Sequence, residues 1–135
     1  MTRPLRLTLI ASLLVSLLFA VAPVPRAYAA AYVVNTIADN TTDDALCTLR
    51  EAINAANNTA GSNTNCGALS SADDTITFSV SGPITITLGS TLPNIVSGLG
   101  ALTINGSGQT VTISGNNTVR VFYVDSNANL TLQNL

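Results

Sequence analysis

The chain has 135 residues, of which 47% are hydrophobic and 4% aromatic, and its formal net charge is −2. It contains no histidine, and its five basic residues are all arginines, so charge-driven binding of nucleic acid or anionic lipid is not expected. Scarce aromatic side chains, with abundant threonine, asparagine and aliphatic residues, favour a small all-β domain with a narrow aliphatic core.

The first 29 residues have the pattern of a secretory signal peptide. Arg3 and Arg6 precede an apolar run over residues 7–22, and small residues follow, with Ala27-Tyr28-Ala29 as an alanine cleavage box. Cleavage there would start the mature chain near Ala30, and it predicts Sec-type export to the cell surface or the extracellular space, with no membrane span left. An uncleaved membrane anchor is the alternative, although the apolar run is short for a span. The mature chain keeps two arginines against seven acidic residues, a net charge of −5.

Residues 48–57 predict a short helix within an N-terminal cap that spans residues 30–72. Thr48 fits the N-cap position, because its hydroxyl can accept from the amide of Glu51 while the Glu51 carboxylate reaches back to the amide of Thr48. Apolar residues at spacings of four and three share one face, namely Leu49, Ile53 and Ala56. About two and a half turns are too few for a helix to be stable alone in water, so this face is expected to pack on the rest of the domain.

From residue 73 to residue 135 the sequence changes to short alternating apolar runs separated by turn residues, a pattern typical of β-strands. The centres of the later runs recur at about nine or ten residues, which fits either the successive sides of a β-solenoid coil or a meander such as a β-sandwich. Spacing alone leaves both architectures open. The runs lie at residues 76–80, 84–88, 102–104, 111–113, 119–124 and 130–132.

The run CTLREA at residues 47–52 resembles the Cys-Ser-Leu-Arg-Glu-Ala segment that names the CSLREA domain of secreted bacterial proteins. Threonine in place of serine keeps the capping hydroxyl. The similarity continues through strand-like segments at 74–78, 102–106 and 111–117. The bodies of those proteins are right-handed parallel β-helices, so the resemblance implies a β-helix start at residues 73–135, with residues 30–72 as its cap and the β-sandwich as the alternative.

Cys47 and Cys66 are the two cysteines of the chain. In an exported protein such a pair predicts a disulfide, because a metal site would need more ligands, and two free thiols are the remaining alternative. The loop between them has nineteen residue steps, and closing it would contribute about 3 kcal/mol in the chain-entropy model. The bond would hold the start of the helix to the loop that follows it.

The charged residues of the predicted helix have structural roles in this interpretation. Glu51 belongs to the capping box, and Arg50 is expected to pair with Asp43, Asp44 or a main-chain carbonyl of the adjacent coil. With Thr48, these residues form the predicted helix cap.

The acidic residues at 39–44 and at 73–74 could supply oxygen ligands to Ca²⁺. Their spacing fits no EF-hand, however, and the chain carries no glycine-aspartate nonapeptide repeat. Asp73 and Asp74 are expected to end a loop before the next strand instead. The sequence therefore predicts no metal site and no cofactor.

No residue of this segment is predicted to be catalytic. The sequence has no lysine or histidine to act as a base and no nucleophile beside one. We expect a non-catalytic capping module of an exported, adhesin-like or structural protein, whose ligand would be a carbohydrate or a protein outside the cell. Because residues 130–135 are still strand-like, further coils of the same chain are expected. The alternative is the N-terminal part of a polysaccharide-degrading lyase or hydrolase with its active site beyond residue 135.

Overall fold

The computed structural model describes residues 28–59 and 65–135 of the chain. Most of the predicted signal peptide, and residues 60–64 in the loop after the predicted helix, lie outside the described residues. Within the described ranges the protein is mostly β with one short helix, in agreement with the predicted all-β class. The elements are β1 (Ala31–Val34), α1 (Leu49–Ala56), β2 (Asp74–Phe78), β3 (Ile84–Thr87), β4 (Ala101–Asn105), β5 (Val111–Ser114) and β6 (Asn129–Gln133).

The strands of the described residues form two small sheets in which every pair is parallel. One sheet has the order β1-β2-β4-β6, and the other contains β3 and β5. Besides the two sheets, an isolated parallel β-bridge pairs Ile95 with Val124. Neighbouring strands of a meander would be antiparallel, so these sheets are not a meander. They do not close into a complete solenoid in the described part of the chain.

Alternation along the strands decides which residues form the core, since successive side chains point to opposite faces. In the four-stranded sheet, the residue directly before each member of the main core stack points outward. This residue is threonine in three of the four strands. The core stack itself is buried in its first three members, whereas its last member is 47% exposed. That stack contains Tyr32, Ile76, Ile104 and Leu132.

The predicted strand at residues 119–124 is not formed, although Val124 takes part in the bridge to Ile95. The amides of Leu92 and Ile95 donate to carbonyls of this run at 3.3 and 2.8 Å. Pro93 has no amide hydrogen, so a continuous ladder cannot extend through the facing segment. Sequence periodicity also did not reveal the buried side chains of Leu92 and Ile95, which complete the third side of the core.

Candidate functional site

We call residues 35–59 the helical cap. Within it, a capping box fixes the start of α1. The amide of Glu51 donates to the Thr48 hydroxyl at 3.1 Å, and the amide of Thr48 donates to Glu51 Oε2 at 3.0 Å. The Thr48 hydroxyl also donates to the Asn40 carbonyl at 2.8 Å. Both Thr48 and Glu51 are completely buried, so these bonds tie the helix start to the loop before it. The second Glu51 oxygen, Oε1, has no hydrogen-bond partner among the described residues.

Arg50 donates four hydrogen bonds, two to Asp39 within the helical cap and two to the turn after β3. Its Nε and Nη2 donate to the two oxygens of Asp39 at 2.8 and 3.0 Å. Its Nη1 donates to the Thr91 carbonyl and its Nη2 to the Ser90 carbonyl, each at 2.9 Å. The Arg50 and Asp39 side chains are 14% and 8% exposed, so the ion pair is largely shielded from water.

Asp39 is the acidic partner of Arg50, instead of the predicted Asp43 or Asp44, while the predicted contacts with main-chain carbonyls are present. Asp44 instead accepts from the amide of Leu46 at 2.9 Å, a local turn bond. Asp39 also accepts from the amide of Gly89 at 2.8 Å, which holds its carboxylate at the position that Arg50 reaches. The sequence could not show the contact between Asp39 and Gly89, because these two residues are 50 positions apart.

The far end of α1 is bound to the same side of the domain. Asn57 Nδ2 donates to the Asn94 carbonyl at 2.7 Å, and Asn57 Oδ1 accepts from the amide of Val96 at 3.4 Å. The carbonyl of Ala55 accepts from the amide of Ser70 at 3.1 Å. Both ends of the short helix are therefore held by side-chain and main-chain bonds to residues distant in sequence.

The predicted disulfide between Cys47 and Cys66 is confirmed, with the two Cα atoms 4.7 Å apart. Cys47 is buried directly before the N-cap residue, and its amide donates to Asn35 Oδ1 at 2.8 Å. The disulfide therefore joins the helix start to the loop after α1, and the hydrogen bond joins the helix start to the residue after β1.

The apolar face of α1 covers the β1 edge of the four-stranded sheet. The helix packs against β1 and β2, as its amphipathic pattern predicts. The side chains buried on this face are Leu49, Ala52, Ile53, Ala55 and Ala56.

The opposite edge, which we call the open end (β5, residues 121–122 and β6), has no such cover among the described residues. An apolar recess lies between its strands. Leu132 and Leu135 remain 47% and 45% exposed there. The recess is lined by Val111, Ile113, Val121, Phe122, Leu132 and Leu135, together with Thr112.

Asp74 is a buried carboxylate that the sequence interpretation placed at a loop end. It is the first residue of β2, and it is 3% exposed. Its Oδ1 accepts from the amide of Ala30 and from the Ser70 hydroxyl, each at 2.7 Å. Period-two alternation could have found it, since Asp74 shares a face with Ile76.

Tyr32 lies beside this carboxylate, and its hydroxyl donates to the Ala68 carbonyl at 2.9 Å. Burial is the main cause that raises the pKa of Tyr32 to about 12, and the negative charge of Asp74 adds to the rise. A hydrogen bond with Ser70 acts in the opposite direction. Tyr32 is therefore neutral throughout the physiological pH range.

Asp73 and Arg120 are charged residues outside the helical cap, and each has a partner in the structure. Asp73 accepts from the amide of Ala101 at 2.8 Å. Arg120 lies over the ring of Tyr123 with 5.6 Å between the guanidinium carbon and the ring centroid, a contact that sequence reasoning did not anticipate. No group of three or more acidic or cysteine side chains that could hold a metal ion occurs within residues 28–59 and 65–135.

Comparison with known proteins gave no relative: no family model, no curated protein and no solved structure matches the chain. The CSLREA assignment therefore stays a hypothesis carried by residues 47–52 and the strand motifs. In the part of the chain that the structure describes, no helix has both the length and the apolarity that crossing a membrane requires.

Proposed function

We propose that this chain is the exported, non-catalytic N-terminal capping module of a right-handed parallel β-helix protein with an adhesin-like or structural role. In this proposal the helical cap closes the first turn of the β-helix, and the open end receives the next turn. The ligand of the whole protein would be a carbohydrate or a protein at the cell surface or outside the cell.

The spacing of the parallel pairs supports a helical repeat. Ile76 pairs with Ile104, and Ile104 pairs with Leu132, 28 positions apart in each case. On the second side Ile84 pairs with Val111 at an offset of 27, and on the third side the bridged residues are 29 apart. One turn of about 28 residues with three sides accounts for all these pairs, and parallel connections of this kind are right-handed in nearly all known cases.

The difference in burial between the two ends is the observation that carries the proposal. At the β1 end, Tyr32 and Val34 are at most 1% exposed beneath α1, although β1 is an edge strand. At the open end, Leu132 occupies the same register position as Tyr32 and is 47% exposed. Edge strands of soluble proteins are normally covered or charged, and apolar stacks of repeat proteins continue until a cap closes them. One end has such a cap, and the other has the surface that a further turn would bury.

A polysaccharide-degrading enzyme is the second candidate for the whole protein. It would use the same cap and would place paired carboxylates, or a base, on turns after residue 135. Both candidates need the helical repeat that the cap begins, so the test below addresses that repeat.

The repeat can be tested by adding one turn. A variant that carries a second copy of residues 101–128 directly after residue 128 keeps both ends and lengthens the stack by one 28-residue turn. We expect it to fold cooperatively, with a urea m-value larger by about a quarter because the added turn buries additional surface. The matched control inserts the same 28 residues in scrambled order and should not raise the m-value.

Two results would contradict the proposal. One is loss of cooperative unfolding in the duplicated variant while the parent chain unfolds cooperatively. The other is a duplicated variant that behaves like the scrambled control.

A further inference from the structure

We infer that cleavage between Ala29 and Ala30 creates a partly buried ion pair between the new α-ammonium group of Ala30 and the carboxylate of Asp74, so that processing completes the core beside β1. This inference rests on the export proposed above. The new ammonium group would be the cationic partner of Asp74, which the described residues of the full chain do not supply.

The burial of Asp74 is the first reason. The carboxylate is 3% exposed. The ion pair among the described residues does not involve Asp74, because it joins Arg50 to Asp39 on another side of the domain. A buried carboxylate without a cation carries a desolvation cost that hydrogen bonds offset only in part. The main-chain nitrogen of Ala30 lies 2.7 Å from Asp74 Oδ1, which is the distance of a charge-assisted bond.

The hydroxyl of Ser70 is the second reason. It has one hydrogen, and two acceptors lie within reach: the Tyr28 carbonyl at 3.0 Å and Asp74 Oδ1 at 2.7 Å. Removal of residues 1–29 removes the Tyr28 carbonyl, which then no longer competes with Asp74 for the hydroxyl hydrogen. Processing therefore strengthens both contacts of this carboxylate oxygen.

The step is an ordinary hydrolysis. An envelope protease adds one water molecule across the Ala29–Ala30 peptide bond, and Ala29 leaves with the new carboxylate. The nitrogen of Ala30 becomes an amine that takes up a proton at neutral pH, because the usual pKa of an α-amino group is about 7.7–8.0. The carbonyl of Ala30 keeps its bond from the amide of Thr75 at 3.0 Å, so β1 can stay in place.

The composition of the chain makes this amine easy to observe. The sequence has no lysine and no histidine, and both cysteines are disulfide-bonded, so the α-amino group is the one group of the mature chain whose usual pKa lies between about 7 and 9.5. Among the groups that face it, Tyr32 stays neutral in this range because its pKa lies at about 12. On α1, Arg50 is bound to Asp39 and Glu51 to Thr48, and β4 carries no charged residue.

The test uses the full chain, exported and processed by a bacterial host. Intact mass first identifies the new terminus, which we expect at Ala30. Urea unfolding is then followed from pH 7 to 9.5 on the processed protein and on the same protein acetylated at its single amine, which restores the neutral amide of the precursor. A cation held by Asp74 has a raised pKa, so its contribution is complete below about pH 7.7 and is lost as the pH rises through that raised value. The unfolding midpoint of the processed protein should therefore fall over this range, and that of the acetylated protein should stay constant.

Asp74→Asn provides a second arm, with Asp73→Asn as the matched control because Asp73 binds Ala101 instead. Since only the neutral amine reacts, amine labelling at pH 7 should be about tenfold slower in the folded processed protein than in urea for each pH unit by which the pKa is raised. Asp74→Asn should remove this protection, and Asp73→Asn should keep it. If Asp74→Asn does not fold, the acetylation comparison still decides.

A terminus other than Ala30 would overturn the inference, as would equal pH profiles for the processed and acetylated proteins. Either result would leave the capping role to be judged by the added-turn experiment.

Discussion

At the scale of single residues, Thr48 holds the start of α1 with both hydrogen bonds of its hydroxyl. Its hydroxyl accepts from Glu51 and donates to Asn40, and the residue is fully buried. We expect Thr48→Ala to lower the free energy of unfolding by about 1 to 2 kcal/mol, because it removes both bonds at the helix start. Urea unfolding measures this change. Thr48→Ser keeps the hydroxyl and is the control, and a zero effect of alanine would remove the capping box from the explanation.

The pair of Arg50 and Asp39 gives a second prediction at this scale. Lysine keeps the charge but cannot form the forked bonds to Asp39 and to two carbonyls, so Arg50→Lys should cost about 1.5 to 3 kcal/mol. A double-mutant cycle with Asp39→Asn should show a coupling energy of at least about 1 kcal/mol. Arg120→Lys, at an exposed position over Tyr123, is the control and should change stability by less than about 0.5 kcal/mol. Additive single effects at Arg50 and Asp39 would contradict the clamp.

The residues that sequence reasoning found differ from those that it missed in how far apart their partners lie. Thr48 and Glu51 are three positions apart, and helix geometry alone brings them together. Asp39 pairs with Arg50 at a separation of 11 positions, which no helix spacing specifies, and it also binds the amide of Gly89, 50 positions away. Asp74 binds the amide of Ala30, 44 positions away, so the chain must fold before these groups meet. Composition and local spacing contain no information on such contacts.

At the scale of elements, α1 depends on its attachments. It has eight residues, which is too short for stability in isolation, and its apolar face, its two ends and the disulfide all bind other parts of the domain. The helix is therefore expected to form together with β1 and β2 rather than before them.

Removal of the disulfide is expected to cause a large loss of stability. Replacing Cys47 and Cys66 together by alanine should lower the free energy of unfolding by about 3 kcal/mol, because the unfolded chain gains the freedom of the opened loop. In non-reduced protein, trypsin cuts after Arg50, between the two cysteines, and mass spectrometry should find the fragments still linked. Full alkylation of both cysteines without reduction would contradict the bond.

The strands were predictable as elements but not as partners. Alternation located β2 to β6 within a few residues, because an apolar residue at every second position marks a half-buried strand. It could not distinguish parallel from antiparallel pairing, since both give the same alternation in sheets with one buried face. The run at 119–124 was overpredicted for a related reason: its apolar residues pack on the core, but the facing segment contains Pro93 and cannot form a ladder.

At the scale of the whole molecule, the two ends of the stack have opposite properties. The β1 end is covered by the helical cap, and the inward side chains of its edge strand, Tyr32 and Val34, are buried beneath α1. The open end has an apolar recess and an edge strand, and residues 30–135 carry a modest formal net charge of −5 to oppose association there. This polarity is what a module that begins a longer stack requires.

Analytical ultracentrifugation of the mature segment, residues 30–135, tests this polarity most directly. We expect the segment to form oligomers through its open end, and Leu132→Lys to shift it toward monomer by placing a charge in the apolar recess. The control is Thr85→Lys, which adds the same charge at an exposed position on β3, one turn away from the open end. Self-association that Leu132→Lys reduces and Thr85→Lys does not is the predicted result, whereas a stable, cooperatively folding monomer of the unmutated segment would contradict the account.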